Sequence, residues 1–205
     1  MGLLSSLFGS KKGPAPPGAA PRKKVRKADM APGWSAEASP NAFYMRAFCA
    51  SDRIPALAHA LEWLASQEAP LKPENLGGAS LNSTTWEHAQ FTCLKTGQMI
   101  TLQCNRDDGS PNCLTREEIM EFARRLKRPG VSGNTRKAAK HLEATKVVVA
   151  CKLPGAHAGR ETFRTNLQLL RYFATRAEGL IQIDGEGFYE DNRLLVDMHK
   201  ARKYK

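Results

Sequence analysis

Residues 147–151 (VVVAC) form the longest unbroken apolar run in the chain. Such a run, inside the segment 146–153, predicts a strand buried on both faces, because a strand with one wet face alternates apolar and polar side chains. Other segments follow different periods. Residues 42–50 (AFYMRAFCA) are aromatic-rich and strand-like. Ser51 or Asp52 then offers an N-cap for a helix entered through Pro55, and Ile54, Leu57, Ala58, Leu61, Leu64 and Ala65 repeat at helical spacing to about Gln67. Pro70, Pro73, Gly77 and Gly78 predict a loop. Residues 85–94 and 98–105 read as two strands joined at Lys95-Thr96-Gly97, a short hairpin turn. The pattern breaks at residues 107–111.

Thr115-Arg116-Glu117-Glu118 has the form of a capping box, opening a helix to about Lys127 with Ile119, Phe122, Ala123 and Leu126 on its apolar face. Pro129-Gly130 ends it, and the polar, basic segment 131–139 is expected to be a mobile loop. A third helix is predicted over 160–177, with Phe163, Leu167, Leu170 and Ala174 facing the core and Gly179 in the left-handed position beyond it. Residues 180–183 and 194–198 supply the last strands around a polar turn, 184–192. The order is β-α-β-β-α-β-α-β. Its first six elements match a ferredoxin-like split βαβ two-layer sandwich, so the expected class is α+β with an added C-terminal α-β.

At 205 residues the chain has room for one well-buried core. Residues 41–198 are assigned to it. Residues 1–40 contain Pro14, Pro16, Pro17, Pro21, Pro32 and Pro40 without apolar periodicity, the composition of a disordered tail, and 199–205 form a basic C-terminal tail. Nothing approaches the ~20 apolar residues of a membrane span. Five cysteines without close pairs, and no secretory signal at the N-terminus, point to a reducing, cytoplasmic setting, with a peripheral membrane location also open.

The net charge of +11 is unevenly placed. Lys11, Lys12, Arg22, Lys23, Lys24, Arg26 and Lys27 face only Asp29 and Glu37 in the first forty residues. Residues 116–140 carry Arg116, Arg124, Arg125, Lys127, Arg128, Arg136, Lys137 and Lys140 against three glutamates. Patches of this kind attract nucleic acid, anionic lipid or an acidic protein. The start, Met1-Gly2-Leu3-Leu4-Ser5-Ser6, also fits an N-acylation signal followed by basic residues.

Candidate chemistry is sparse. His59, His88, His141, His157 and His199 and the five cysteines lack metal-ligand spacing, so no metal or cofactor is expected. Cys93 and Cys104 fall on neighbouring strands as buried hydrophobes, and Cys113 sits in a loop as the candidate exposed thiol. Asp184, Glu186, Glu190 and Asp191 cluster on a glycine-containing turn, and the segment 130–140 lacks the order of a phosphate-binding P-loop. Three readings stand. The first is a non-enzymatic binding or adaptor domain whose basic tail engages an anionic surface or partner. The second is a nucleic-acid binder using Arg124, Arg125, Lys127, Arg128, Arg136, Lys137 and Lys140. The third is an enzyme using His88, His157, Glu161 or the carboxylates near Asp184.

Overall fold

The computed structural model describes residues 43–110, 113–127, 132–153 and 159–198. The apolar run forms β5 (Val147–Leu153), flanked by β4 (Met99–Arg106) on one side and β1 (Phe43–Cys49) on the other. Val147, Val149, Cys151 and Leu153 enter one core and Val148 enters another, as a doubly covered strand requires. With β2 (Leu71–Asn75), β3 (His88–Cys93), β6 (Gly179–Ile183), β7 (Gly187–Glu190) and β8 (Arg193–Asp197) the sheet has eight strands, ordered β2-β3-β4-β5-β1-β6-β7-β8. Every neighbouring pair is antiparallel.

Helices cover both faces. On the first, α1 (Leu57–Ser66) and α4 (Arg160–Arg176) bring Leu57, Leu64, Phe163 and Phe173 onto Met45, Phe91, Leu102 and Val149. On the second, α2 (Leu114–Leu126) and α3 (Gly133–Ala144) set Ile119, Phe122, Ala138 and Leu142 against Phe48, Val148 and Phe188. Phe122 meets Phe48 edge-on at 5.3 Å between ring centroids and Phe188 at 5.8 Å, the favoured geometry for aromatic quadrupoles.

The ferredoxin-like arrangement is not the one observed, and α3 is the physical reason. A single helix after β4 would carry the chain to the far end of the sheet and start a strand parallel to β4. Two consecutive helices return it to the end it left. Val147 therefore pairs with Arg106, and β5 runs antiparallel beside β4. A split βαβ unit does exist, built from other pieces: β5 and β6 both run antiparallel to β1, which lies between them, and α4 connects them. The mixed α and β content stands, in a sheet wider than expected.

Other local expectations also change. The segment read as a mobile loop forms the first part of α3, a helix started by Ser132, whose Oγ accepts from the Thr135 amide, and held by Ala138, Ala139 and Leu142. The loop around Pro73 contains β2, an edge strand that tolerates proline at a register shift. α1 begins at Leu57 after Ala56, while Ser51 Oγ caps only the Arg53 amide. α2 starts one residue ahead of Thr115 with no side-chain cap, because Glu118 reaches Arg46 instead. The left-handed residue after α4 is Glu178, φ 52°, and Gly179 opens β6. The turn 184–192 holds a further strand, β7.

Candidate functional site

The cations flagged in the sequence at 124–140 converge on the outer surface of α2 and α3. The inward sides of these helices supply the second core, so helical geometry turns Arg124, Arg125, Lys127, Arg136, Lys137 and Lys140 outward, and all six are exposed. Three are engaged. Arg125 pairs with Glu121 one turn earlier, Lys127 bridges to Glu143 at the far end of α3, and Lys137 Nζ donates to both oxygens of Glu190 on β7 at 2.6 and 2.7 Å. Arg136 and Lys140, one turn apart on α3, have no ion pair among the described residues. Arg124 Nε donates only to its own helix, at the Met120 carbonyl. Arg128 lies outside the described residues, as do Lys11, Lys12, Arg22, Lys23, Lys24, Arg26 and Lys27 and the proposed acylation site.

Arg46 holds α2 to the sheet. Its side chain, 13% exposed, projects from β1 towards the second face. Nε donates to Glu118 at 2.6 Å, and Nη1 donates to Asp184 at 2.7 Å and to the buried Gln182 at 2.8 Å. The guanidinium also lies over Phe122 at 5.5 Å and Tyr44 at 5.1 Å. Asp184 accepts in addition from the Tyr44 amide and from Gln182. A charged residue within FYMRAFC is the signal that marks this position, since an arginine in a central strand demands partners.

Among the described residues, those considered for catalysis are not brought together. His88 stands on β3, and three strands separate it from β6 and Asp184, a span of roughly 19 Å at the usual interstrand spacing. Glu161 is exposed in the first turn of α4, on the opposite face from α2, and His157 lies outside the described residues. The four carboxylates near Asp184 divide: Asp184 binds Arg46, Glu186 accepts from the Tyr189 hydroxyl, Glu190 holds Lys137, and Asp191 sits in the next turn. Burial, followed by the neighbouring Glu186 charge, raises the Tyr189 phenol.

All five cysteines are buried thiols, including Cys113, which the sequence had suggested as exposed. Cys93 lies at the hairpin end, opposite Gln98, whereas Cys104 pairs beyond His88 with Glu87; six residues of β4 separate these levels, roughly 20 Å. Burial raises the Cys104 thiol to about 11 despite the nearby Arg106, and raises Cys49 to about 12 with help from Cys104. Burial also raises Cys151. These thiols remain protonated and shielded, the reverse of what a nucleophile needs.

Asp107, Asp108 and Cys113 bring three potential ligand atoms within 4.8 Å of one another. Each already fastens the β4–α2 connection. Asp107 pairs with Arg116 and accepts from the Gly109 amide, Asp108 accepts from the Ser110 amide at 2.8 Å, and Cys113 Sγ donates to the Arg106 carbonyl. The amide and hydroxyl of Ser110 hold Asp108 below the usual carboxylate range.

An eight-stranded antiparallel sheet with a helix pair on each face, one pair carrying an outward cationic surface, defines the architecture. Comparison with protein-family models, curated proteins and solved structures gives no match for this chain. Among the described residues no helix is long and apolar enough to cross a membrane.

Proposed function

We propose that this chain is a non-enzymatic binding domain that docks on a polyanionic partner through the outer surface of α2 and α3, with the basic N-terminal residues adding to the same attraction. The observation that carries this reading is the group Arg124, Arg136 and Lys140: exposed, on two packed helices, and without an acidic partner among the described residues. A cation neutralised within its own fold has little left for a ligand, whereas an unpaired one on a rigid helix attracts counterions that a polyanion can displace. Among the described residues the candidate catalytic side chains lie apart, which supports the choice of binding over chemistry.

Nucleic acid is the polyanion that the second sequence reading favours. The uncovered face of β3 and β4 presents His88, Gln90, Thr92, Thr101 and Gln103, with the His88 imidazole but no Phe, Tyr or Trp among the described residues, so it lacks the set of two or three stacked aromatics of an RNA-reading sheet. Contact through phosphates at α2 and α3 is the form such binding takes. The test compares a short DNA duplex with phosphatidylserine vesicles as ligands for the full chain across a salt series. Salt-sensitive binding that the triple variant R124Q/R136Q/K140Q loses supports the reading, and the better ligand identifies the class of partner. Binding that the triple variant retains in full refutes it.

A further inference from the structure

On the other side of the sheet from α2 and α3, the β1–α1 connection, the chain ahead of β3, the end of β4 and the last turn of α4 border an open cleft of about 710 Å³. Arg53, Arg106 and Arg176 line it with His59, against one acidic residue among the described residues, Asp52. They lie far apart in sequence and meet only because β4 and α4 finish at the same end of the sheet.

The three guanidinium groups are not neutralised by one another's surroundings. Arg106 is fixed by neutral acceptors: Nη1 donates to the Asp52 carbonyl at 2.9 Å and Nη2 to the Thr84 carbonyl at 2.7 Å. These bonds hold the guanidinium plane in place and leave its charge uncompensated, with further N–H donors free. Arg176 lies over the Tyr172 ring at 5.7 Å, a contact that positions the cation and also leaves its charge. Arg53 has no ion pair among the described residues. An adjoining cleft of about 580 Å³ shares Tyr172 and Arg176 and is also lined by Asp191 and by Arg171, whose Nε is buried without a hydrogen-bond partner. Burial lowers the Arg171 pKa from its ordinary value, the effect of a cation held where water is scarce.

The geometry points to a binding site for a small polyphosphate-type anion in the cleft of Arg53, Arg106 and Arg176. Forked donors suit the tetrahedral oxygens of phosphate, and the volume lies within the range of small-molecule sites. Three guanidinium groups against one carboxylate match an anion of two or more charges better than a single carboxylate. The site differs from the α2–α3 surface in face, in concavity and in the size of ligand it fits.

The test is calorimetric titration of the full chain with inorganic pyrophosphate, with citrate at matched ionic strength as a second polyanion. Saturable pyrophosphate binding, weakened about tenfold or more in R53Q/R176Q, is the expected result. K95Q/R164Q, exposed cations at the opposite end of the sheet and outside both surfaces, is expected to bind as the parent does. Arg106→Lys supplies an independent arm that keeps the charge and loses the fork; it too is expected to weaken pyrophosphate about tenfold, with the fold checked by circular dichroism. Absence of saturable heat at about 1 mM pyrophosphate overturns the proposal, as does equal weakening in K95Q/R164Q or affinity for citrate equal to that for pyrophosphate.

Discussion

Replacing Arg46 by Met keeps the length of the side chain and removes the charge that joins α2 to the sheet. Its side chain is 13% exposed, and those of its partners Glu118 and Asp184 are 31% and 35% exposed. Breaking a fully buried pair costs about 3–5 kcal/mol, and an exposed pair is worth about 0–1 kcal/mol. The two carboxylates can recover part of their hydration, so the cost falls between these limits, at about 2–3 kcal/mol, with the lost cation–π contacts to Tyr44 and Phe122 included. For a domain of this size that corresponds to a fall in Tm of roughly 5–10 °C. Urea unfolding at neutral pH, fitted for midpoint and slope, measures it. A double-mutant cycle with Glu118→Gln then separates the ion pair from simple packing. Glu118→Gln is expected to destabilise the parent by about 1 kcal/mol or more and to be nearly neutral beside Arg46→Met. The reasoning is refuted if Glu118→Gln costs the same in both backgrounds, or if Arg46→Met changes stability by less than about 0.5 kcal/mol.

Neutralising Arg124, Arg136 and Lys140 together is expected to flatten the log–log salt dependence of duplex binding by up to about 2.7, at about 0.9 per phosphate contact; removing Arg125, Lys127 and Lys137, which already have acidic partners, is expected to flatten it less. Fluorescence anisotropy over a salt series checks both. At Gly187 an added Cβ would overlap the Val196 carbonyl oxygen, whereas at Gly185, φ 76°, it would meet open space. Gly187→Ala should therefore cost about 2 kcal/mol or more and Gly185→Ala only about 1 kcal/mol of backbone strain, both read from denaturant midpoints. Cys49 and Cys104 are raised to about 12 and about 11 from 9.0, so above pH 9 the unfolded chain releases these protons before the folded one does. Their contribution to stability is complete below pH 9 and is lost as pH rises towards 11–12, at about 1.4 kcal/mol per pH unit for each thiol. Unfolding followed between pH 8 and 10.5 should show this slope in the parent and a shallower one in C49A/C104A; parallel slopes would falsify the assignment.

Local pattern alone determined much of the secondary structure. The unbroken 147–151 run, the helical spacing of Ile119, Phe122, Ala123 and Leu126, and that of Phe163, Leu167, Leu170 and Ala174 each mark an element found in the structure, because burial selects apolar residues at the period of the backbone. The clustering of cations over residues 124–140 was visible in the sequence, but their outward placement was legible only on α2, since 131–139 read as a loop and α3 carries Arg136, Lys137 and Lys140. Weak elements escaped this reading. α3 has few large apolar residues and is held by packing on Phe48 and Val148, and β2 is a strand only because β3 offers it a free edge. Once α3 was missed, the direction of β5 and hence the topology were missed with it. Tertiary structure alone decided which cations are neutralised: Lys137 meets Glu190 across 53 residues, whereas Arg136 beside it meets no acid among the described residues. It also brought Arg53, Arg106 and Arg176 to one cleft and fixed Arg46 between Glu118 and Asp184. Pairings of this kind depend on strand order and on where helices end, and long-range geometry leaves no periodic trace in the residues that it joins.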